Sequence, residues 1–225
     1  MALDPKIEKL RQLREEARLG GGLKRIEKQH AKGKRVVLGG YHEVVNQRYE
    51  VRLAGAGGQG LGLAGQMLAE AAIYEGKNAA QSQSYGAEAR GGASRSEVVI
   101  SEGEIDYPRV IETDLLLAMS QEACDKYSPD LKEEGILIVD SVHVHQVPTR
   151  KACRIPITQI AEEATGQRLT ANVVALGIIV GLTGIVSREA IEAAVKARTP
   201  KGMEEANLQA LAAGFEEAER IVREG

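Results

Sequence analysis

A glycine run placed directly behind a short apolar strand constrains this chain more than any other feature. Gly55-Ala56-Gly57-Gly58-Gln59-Gly60 follows Val51, Leu53 and Ala54. It precedes Leu61, Leu63, Ala64, Met67, Leu68, Ala71 and Ala72, which recur at helical spacing. Strand, turn and helix therefore follow one another without a linker. Glycines 55, 57 and 60 match the G-x-G-x-x-G pattern of dinucleotide-binding turns. Without a Cβ the chain turns sharply and its backbone can approach a ligand. A helix that starts there offers unpaired N–H groups to an anion.

The usual ligand of that pattern also requires an Asp or Glu about 20 residues on, to hold a ribose. The corresponding stretch, Asn78-Ala79-Ala80-Gln81-Ser82-Gln83, contains no acid. NAD or FAD is therefore disfavoured. The glycines can serve a tight βα turn, or a backbone contact to another ligand or subunit.

The spacing predicts strands at Tyr49–Ala54, Asn78–Ser82, Ala93–Ser101, Asp114–Met119, Gly135–Asp140 and Ala152–Ile157. Glu102-Gly103-Glu104 reads as a turn that pairs the third strand with Ile105-Asp106-Tyr107 in a hairpin. Helices are expected at Gly60–Tyr74, Gln121–Tyr127, Thr158–Thr165, Thr170–Leu182, Ser187–Arg198 and Met203–Arg223. The fourth of these is apolar nearly all round and should lie at the centre. Leu208, Leu211, Phe215 and Ala218 should face inward from the last. Strands separated by helices predict an α/β fold: a mainly parallel, Rossmann-like sheet with helices on both faces. In such a sheet the glycine turn and the polar loop Ser84–Gly92 both leave the carboxyl edge, where ligands bind.

Charge divides the 225 residues unevenly. Residues 1–40 carry 11 Lys/Arg and 5 Asp/Glu, whereas the remainder carries 18 bases and 27 acids. This suggests a basic helical arm at 1–35, a linker at 36–47 and the α/β domain at 48–225. Asp4-Pro5 starts the arm's helix, and Ile7, Leu10, Leu13 and Ala17 form an apolar stripe suited to docking. A net charge of −3 suggests no nucleic-acid partner. The longest apolar stretch, Ala171–Ile185, is too short for a membrane span of about 20 residues. With no signal peptide and only two cysteines, the expectation is a cytoplasmic protein.

Candidate chemistry is sparse. Cys124 and Cys153 cannot assemble an iron–sulfur cluster, which takes four cysteines, and both read as packing residues. His143 and His145, alternating after Asp140-Ser141, are too few for a metal and should share one face of a strand end. In the Ser84–Gly92 loop, Glu88 and Arg90 stand among small residues, and Arg90 suits a phosphate or carboxylate.

From Arg48 to Ala218 the chain resembles the gamma subunit of 2-oxoacid:ferredoxin oxidoreductases, and the matching domain of single-chain pyruvate:ferredoxin oxidoreductases. The resemblance rests on Gly55-Ala56-Gly57-Gly58-Gln59-Gly60, Gln83-Ser84-Tyr85-Gly86-Ala87-Glu88-Ala89-Arg90-Gly91-Gly92 and Asp140-Ser141. It continues through Asn172-Val173-Val174-Ala175-Leu176-Gly177, and Lys201-Gly202 with Asn207 and Gly214. The 2-oxoglutarate type is the most similar. The resemblance implies oxidative decarboxylation of a 2-oxo acid with coenzyme A, giving acyl-CoA, carbon dioxide and reduced ferredoxin. It implies thiamine diphosphate, magnesium and iron–sulfur clusters on alpha and beta partner subunits, with or without a delta subunit, and none held by this chain alone. Ferredoxin would be reached through the complex, and the isolated chain would be inactive, as a monomer or a homodimer. Gly55, Gly57, Gly58, Gln59, Gly60, Ser84, Tyr85, Glu88 and Arg90 are then the candidates for contact with coenzyme A.

Residues 4–34 separately resemble the N-terminal helices of acyl-CoA carboxylase carboxyltransferase subunits. Nothing of that family's core follows, so no carboxylase activity is carried over. Two other functional classes stay open: an assembly subunit without ligand contact, and a free-standing nucleotide-binding oxidoreductase.

Overall fold

The computed structural model describes residues 48–84, 93–148 and 152–224. The arm at 1–35 and the linker at 36–47 lie outside them.

Six strands form one sheet in the order β2-β3-β1-β4-β5-β6. They are β1 (Arg48–Gly55), β2 (Asn78–Ser84), β3 (Ser94–Ser101), β4 (Thr113–Ala118), β5 (Leu131–Asp140) and β6 (Cys153–Ile155). β1, β4, β5 and β6 pair in parallel, whereas β3 runs antiparallel between β2 and β1. The helices are α1 (Leu61–Tyr74), α2 (Gln121–Tyr127), α3 (Ile157–Thr165), α4 (Ala171–Thr183), α5 (Arg188–Arg198) and α6 (Glu204–Glu224).

The expected hairpin after β3 does not form. Residues 105–107 are not a strand, and β3 finds its partners on both sides, in β2 and β1. The loop after β3 is instead tied to β1. The Arg48 guanidinium donates to the carbonyls of Tyr107 and Arg109, and the Glu50 carboxylate accepts from the N–H groups of Ile111 and Glu112. Two charged side chains of the first strand thus claim a segment that local pattern assigns to a hairpin.

Alternation along β1 separates the two layers. Val51 and Leu53 point to the α1 side; Arg52 and Ala54 point to the α2 side. α1 lies close on its face: a Cβ on Gly65 would meet Ser96 Oγ at 2.1 Å. On the other face Ala54, Leu116, Ala118, Leu137 and Val139 pack with Ala123, Cys124 and Tyr127 of α2. Ser120 caps α2, accepting from the Ala123 N–H. The same α2-side layer buries an ion pair. Arg52 Nη2 stands 2.9 Å from Glu97 Oε1, Nη1 stands 2.5 Å from Asp130 Oδ2, and the guanidinium carbon lies 5.2 Å from the Tyr127 ring centre.

As expected, α4 is the central helix; all its residues but Gly181 and Thr183 are buried. It packs on α6 through small residues. A Cβ on Gly177 would meet Leu211 O at 2.4 Å, and one on Gly214 would meet Val174 O at 2.2 Å. The inner face of α6 is Asn207, Ala210, Leu211, Gly214, Phe215 and Ala218. Leu208, expected there, is half-buried. Asn207 takes the inner place because its Nδ2 reaches Thr199 Oγ1 at 2.9 Å.

One buried polar atom is a liability. Thr113 Oγ1, at the start of β4, has no hydrogen-bond partner among the described residues. Thr113→Val keeps the shape and removes the desolvated hydroxyl. Chemical denaturation should show unchanged or higher stability, by up to about 1 kcal/mol; a loss would mean that the hydroxyl is satisfied in solution.

Candidate functional site

The site is built where β1 and β2 end. Gly55 pairs with Ser94, and Ser84 pairs with Arg95, so both strands finish beside the start of β3. Both strands therefore end at the same carboxyl edge, although β3 stands between them. Ser84 is the exposed last residue of β2. Tyr85, Glu88 and Arg90 lie outside the described residues.

The glycine turn is braced from several directions. Gln59 Oε1 accepts from the Ala56 N–H at 2.7 Å, and Gln59 Nε2 donates to Met119 O at 3.1 Å. Its amide is thereby occupied in holding the turn against the end of β4. A Cβ on Gly55 would meet that amide oxygen at 2.1 Å. Ser94 Oγ donates to the carbonyls of Gly55 and Ala56. Gly55 and Gln59 are thus packing and bracing residues, whereas Gly57 and Gly58 face open space.

Gly60 sits at the N-cap of α1 with φ 71°, and no side chain caps the helix. Its carbonyl accepts from the Ala64 N–H and from Asn172 Nδ2, both at 3.1 Å. Sequence reasoning assigned Asn172 no role at the turn. The available signal was a buried amide in the first turn of an otherwise apolar helix, which needs a partner. A Cβ on Gly60 would lie 2.5 Å from that amide nitrogen, in a left-handed conformation that non-glycine residues resist. Gly60→Ala should lower the stability of the full chain by about 1–2 kcal/mol, read by denaturant melts. An unchanged midpoint would show that the turn relaxes freely.

Between the turn, α1 and β2 lies a cleft of about 370 Å³, lined by Gly58, Gln59, Gly60, Leu61, Gly62, Leu63, Gln66, Gln83, Ser94 and Arg95. Glycine backbone and an uncapped helix start on one wall favour an anion. Arg95 borders the cleft at the start of β3, but it pairs with Ala54 and its guanidinium lies on the α2 side of the sheet, 3.6 Å from Glu97 and 5.6 Å from the Tyr127 ring centre. Amide side chains and backbone donors suit a polar, phosphate-bearing group more than an apolar one.

The remaining candidates fall outside this cleft. β5 ends at Asp140, so His143 and His145 lie in the turn that follows and not on a strand face. His143 Nε2 stands 4.0 Å from the buried Asp140 carboxylate. The His145 and Gln146 N–H groups both donate to Gln121 Oε1. Asp140 is fully buried and accepts from the hydroxyl and the N–H of Thr158, fixing the start of α3. Cys124 is buried in α2, and burial pushes its thiol pKa up, so the nucleophilic thiolate is disfavoured. Cys153, on β6, is only part-buried. Among the described residues no three His, Cys, Asp or Glu side chains gather to hold a metal ion. None of their helices is long and apolar enough to cross a membrane.

Residues 50–217 match the family described as pyruvate ferredoxin/flavodoxin oxidoreductase. The 2-oxoglutarate synthase subunit KorC of Methanocaldococcus jannaschii is 48% identical over 182 residues, covering 79% of this chain and 97% of that protein. The crystal structure of a keto/oxoacid ferredoxin oxidoreductase gamma subunit from Geobacter sulfurreducens is 52% identical, with a TM-score of 0.71 over 78% of this chain and 98% of that one. A 2-oxoglutarate:ferredoxin oxidoreductase from Magnetococcus marinus, with 2-oxoglutarate, coenzyme A and succinyl-CoA bound, shares the fold. Its TM-score is 0.69 at 23% identity, covering 80% of this chain and 32% of that one.

Proposed function

Because the chain belongs to the pyruvate ferredoxin/flavodoxin oxidoreductase family, in its gamma-subunit branch, we propose that its carboxyl-edge cleft contacts coenzyme A within a complex of the 2-oxoglutarate type. The reaction breaks the bond between the oxo carbon and the carboxylate and forms a thioester between that carbon and the CoA sulfur. Carbon dioxide leaves, the thiol gives up its proton, and an electron pair passes to ferredoxin.

This chain's part is binding and assembly. An iron–sulfur cluster does not fit its residues: the sequence has two cysteines, on α2 and β6, where a cluster takes four. On this reading thiamine diphosphate, magnesium and the clusters belong to partner subunits, alpha and beta with or without a delta subunit. The thiamine group supplies carbanion stabilisation there. No step of that chemistry is assigned to a residue of this chain.

The observation that carries the reading is the open cleft itself. Gly57 and Gly58 leave backbone uncovered, the first turn of α1 has no capping side chain, and Gln66 and Gln83 line the other side. Such a wall fits the phosphates of coenzyme A, with Arg90 pairing with one of them. The test is the KM for coenzyme A of the assembled complex. Arg90→Ala should raise it about tenfold, the loss of one charge-assisted hydrogen bond. Gly58→Val, which puts a side chain into the cleft mouth at a left-handed position (φ 89°), should do the same, with a denaturant melt showing that the chain still folds. If neither variant changes KM, the chain is an assembly subunit without ligand contact.

A further inference from the structure

The first turn of α4 carries an amide, Asn172, that is 5% exposed in an apolar helix. A buried amide is costly unless it is bonded. Its partner lies 112 residues earlier in the chain: Nδ2 donates to the Gly60 carbonyl at 3.1 Å. The side chain also packs flat on that glycine. A Cβ on Gly60 would meet Asn172 Nδ2 at 2.5 Å, Cγ at 3.2 Å and Cβ at 3.8 Å. Asn172 thus fills the space that glycine leaves free.

The Gly60 carbonyl already accepts from the Ala64 N–H at 3.1 Å, the bond that opens α1. The helix can start with that donor alone. A carbonyl oxygen has two lone pairs, and a second donor from another element fixes the direction in which the group points. The peptide that follows is trans and planar, so the Leu61 N–H points the opposite way, out of the helix start. The N–H groups of this first turn have no partner inside the helix and no capping side chain. Gly60, Leu61 and Gly62 line the cleft, whereas Asn172 stands behind them. Holding the carbonyl inward therefore holds donors outward. The anchor is firm, because α4 is buried and its backbone touches α6 at Gly177 and Gly214.

We infer that Asn172 is a positioning residue for coenzyme A: it grips the Gly60 carbonyl from α4 and so aims the first N–H groups of α1 at a phosphate in the cleft. This rests on the reading of the cleft as a coenzyme A contact. Asn172 acts through Gly60 and does not itself touch the ligand.

The test is steady-state kinetics of the assembled complex, with coenzyme A and the 2-oxo acid varied in turn. Asn172→Ala removes the donor. Asn172→Asp keeps the shape but sets an acceptor against the Gly60 carbonyl. Each should raise the KM for coenzyme A about fivefold, the worth of one hydrogen bond, with kcat and the KM for the 2-oxo acid unchanged. Should the alanine variant fail to assemble, the aspartate variant carries the test, because a carboxylate is favoured at a helix start. An unchanged KM for coenzyme A overturns the inference, even where the melting midpoint falls, since the amide is then structural only. So does an equal rise in KM for both substrates, or a loss confined to kcat. Arg90→Ala and Gly58→Val, measured alongside, separate this inference from the reading beneath it. If they raise the KM and the Asn172 variants do not, coenzyme A still binds here and only the role of Asn172 falls. If all four leave the KM unchanged, the coenzyme A reading fails as well.

Discussion

Gly214→Val is expected to remove a large share of the stability of the folded chain. At this crossing the backbones of α4 and α6 touch: the missing Cβ of Gly214 would stand 2.2 Å from Val174 O and 2.9 Å from Gly177 Cα. These atoms are backbone and cannot swing aside as a side chain would. A larger residue must push apart two helices that bury Val174, Leu176, Ile178, Leu211 and Phe215 around the contact. Overpacking in cores commonly destabilises by 1–3 kcal/mol, and a rigid backbone obstacle belongs at about 3 kcal/mol or more. That is a large share of a domain's total of roughly 5–15 kcal/mol. Gly214→Ala should show a smaller loss in the same direction. Urea denaturation of the two variants beside the wild type checks the order. Equal midpoints for all three would mean that the helices are not in backbone contact in solution.

The second large effect concerns Arg52. The side chain is 4% exposed and holds Glu97 and Asp130 at once, beneath the Tyr127 ring. Removing Arg52 leaves Glu97, itself 6% exposed, with only the longer contacts to Arg95 at 3.6 Å and the Ser82 hydroxyl at 3.4 Å. Arg52→Met should therefore destabilise by about 3 kcal/mol, the lower end for breaking a buried pair. Part of that cost is desolvation of the carboxylate left behind, not lost attraction. The double variant Arg52→Met, Glu97→Leu should therefore recover much of the stability, because an apolar pair needs no partner. A double variant as unstable as the single one would show that packing around Arg52, and not its charge, is what matters. Asp130 is about half exposed on its own side, so Asp130→Asn should have little effect by comparison.

Most of the framework was legible in the sequence because its signals are local. The βα turn announces itself through glycines between an apolar strand and a helical pattern. α4 announces itself by being apolar on every side. The polarity of the carboxyl edge followed from strands separated by helices. Three features were not legible. The position of β3 between β1 and β2 depends on which strand edges are free after α1 docks, a non-local competition that periodicity does not record. The segment after β3 looks like a hairpin arm, yet Arg48 and Glu50, more than fifty residues earlier, take its backbone groups. Gln59 reads as a polar group offered to a ligand, but its amide is spent on Ala56 and Met119. In the last two cases a long-range hydrogen bond overrode a correct local reading. Of the cleft, the glycine wall could be read in advance. The opposite wall of Gln66 and Gln83, and the Asn172 clamp, could not, because they converge from separate elements.

The interposed antiparallel strand also sets what this scaffold can be turned into. In a fold that cradles a dinucleotide, the strand neighbouring the glycine turn ends at the turn's own edge and carries an acid for the sugar hydroxyls. Here that neighbour is β3, which begins at this edge, and the strand that ends there is displaced one place further out. Grafting an aspartate onto the tip of β2 would set it two strands from the turn. The sugar of a nicotinamide nucleotide anchored at the glycines would not reach it, so engineering redox-nucleotide binding would require rethreading the sheet.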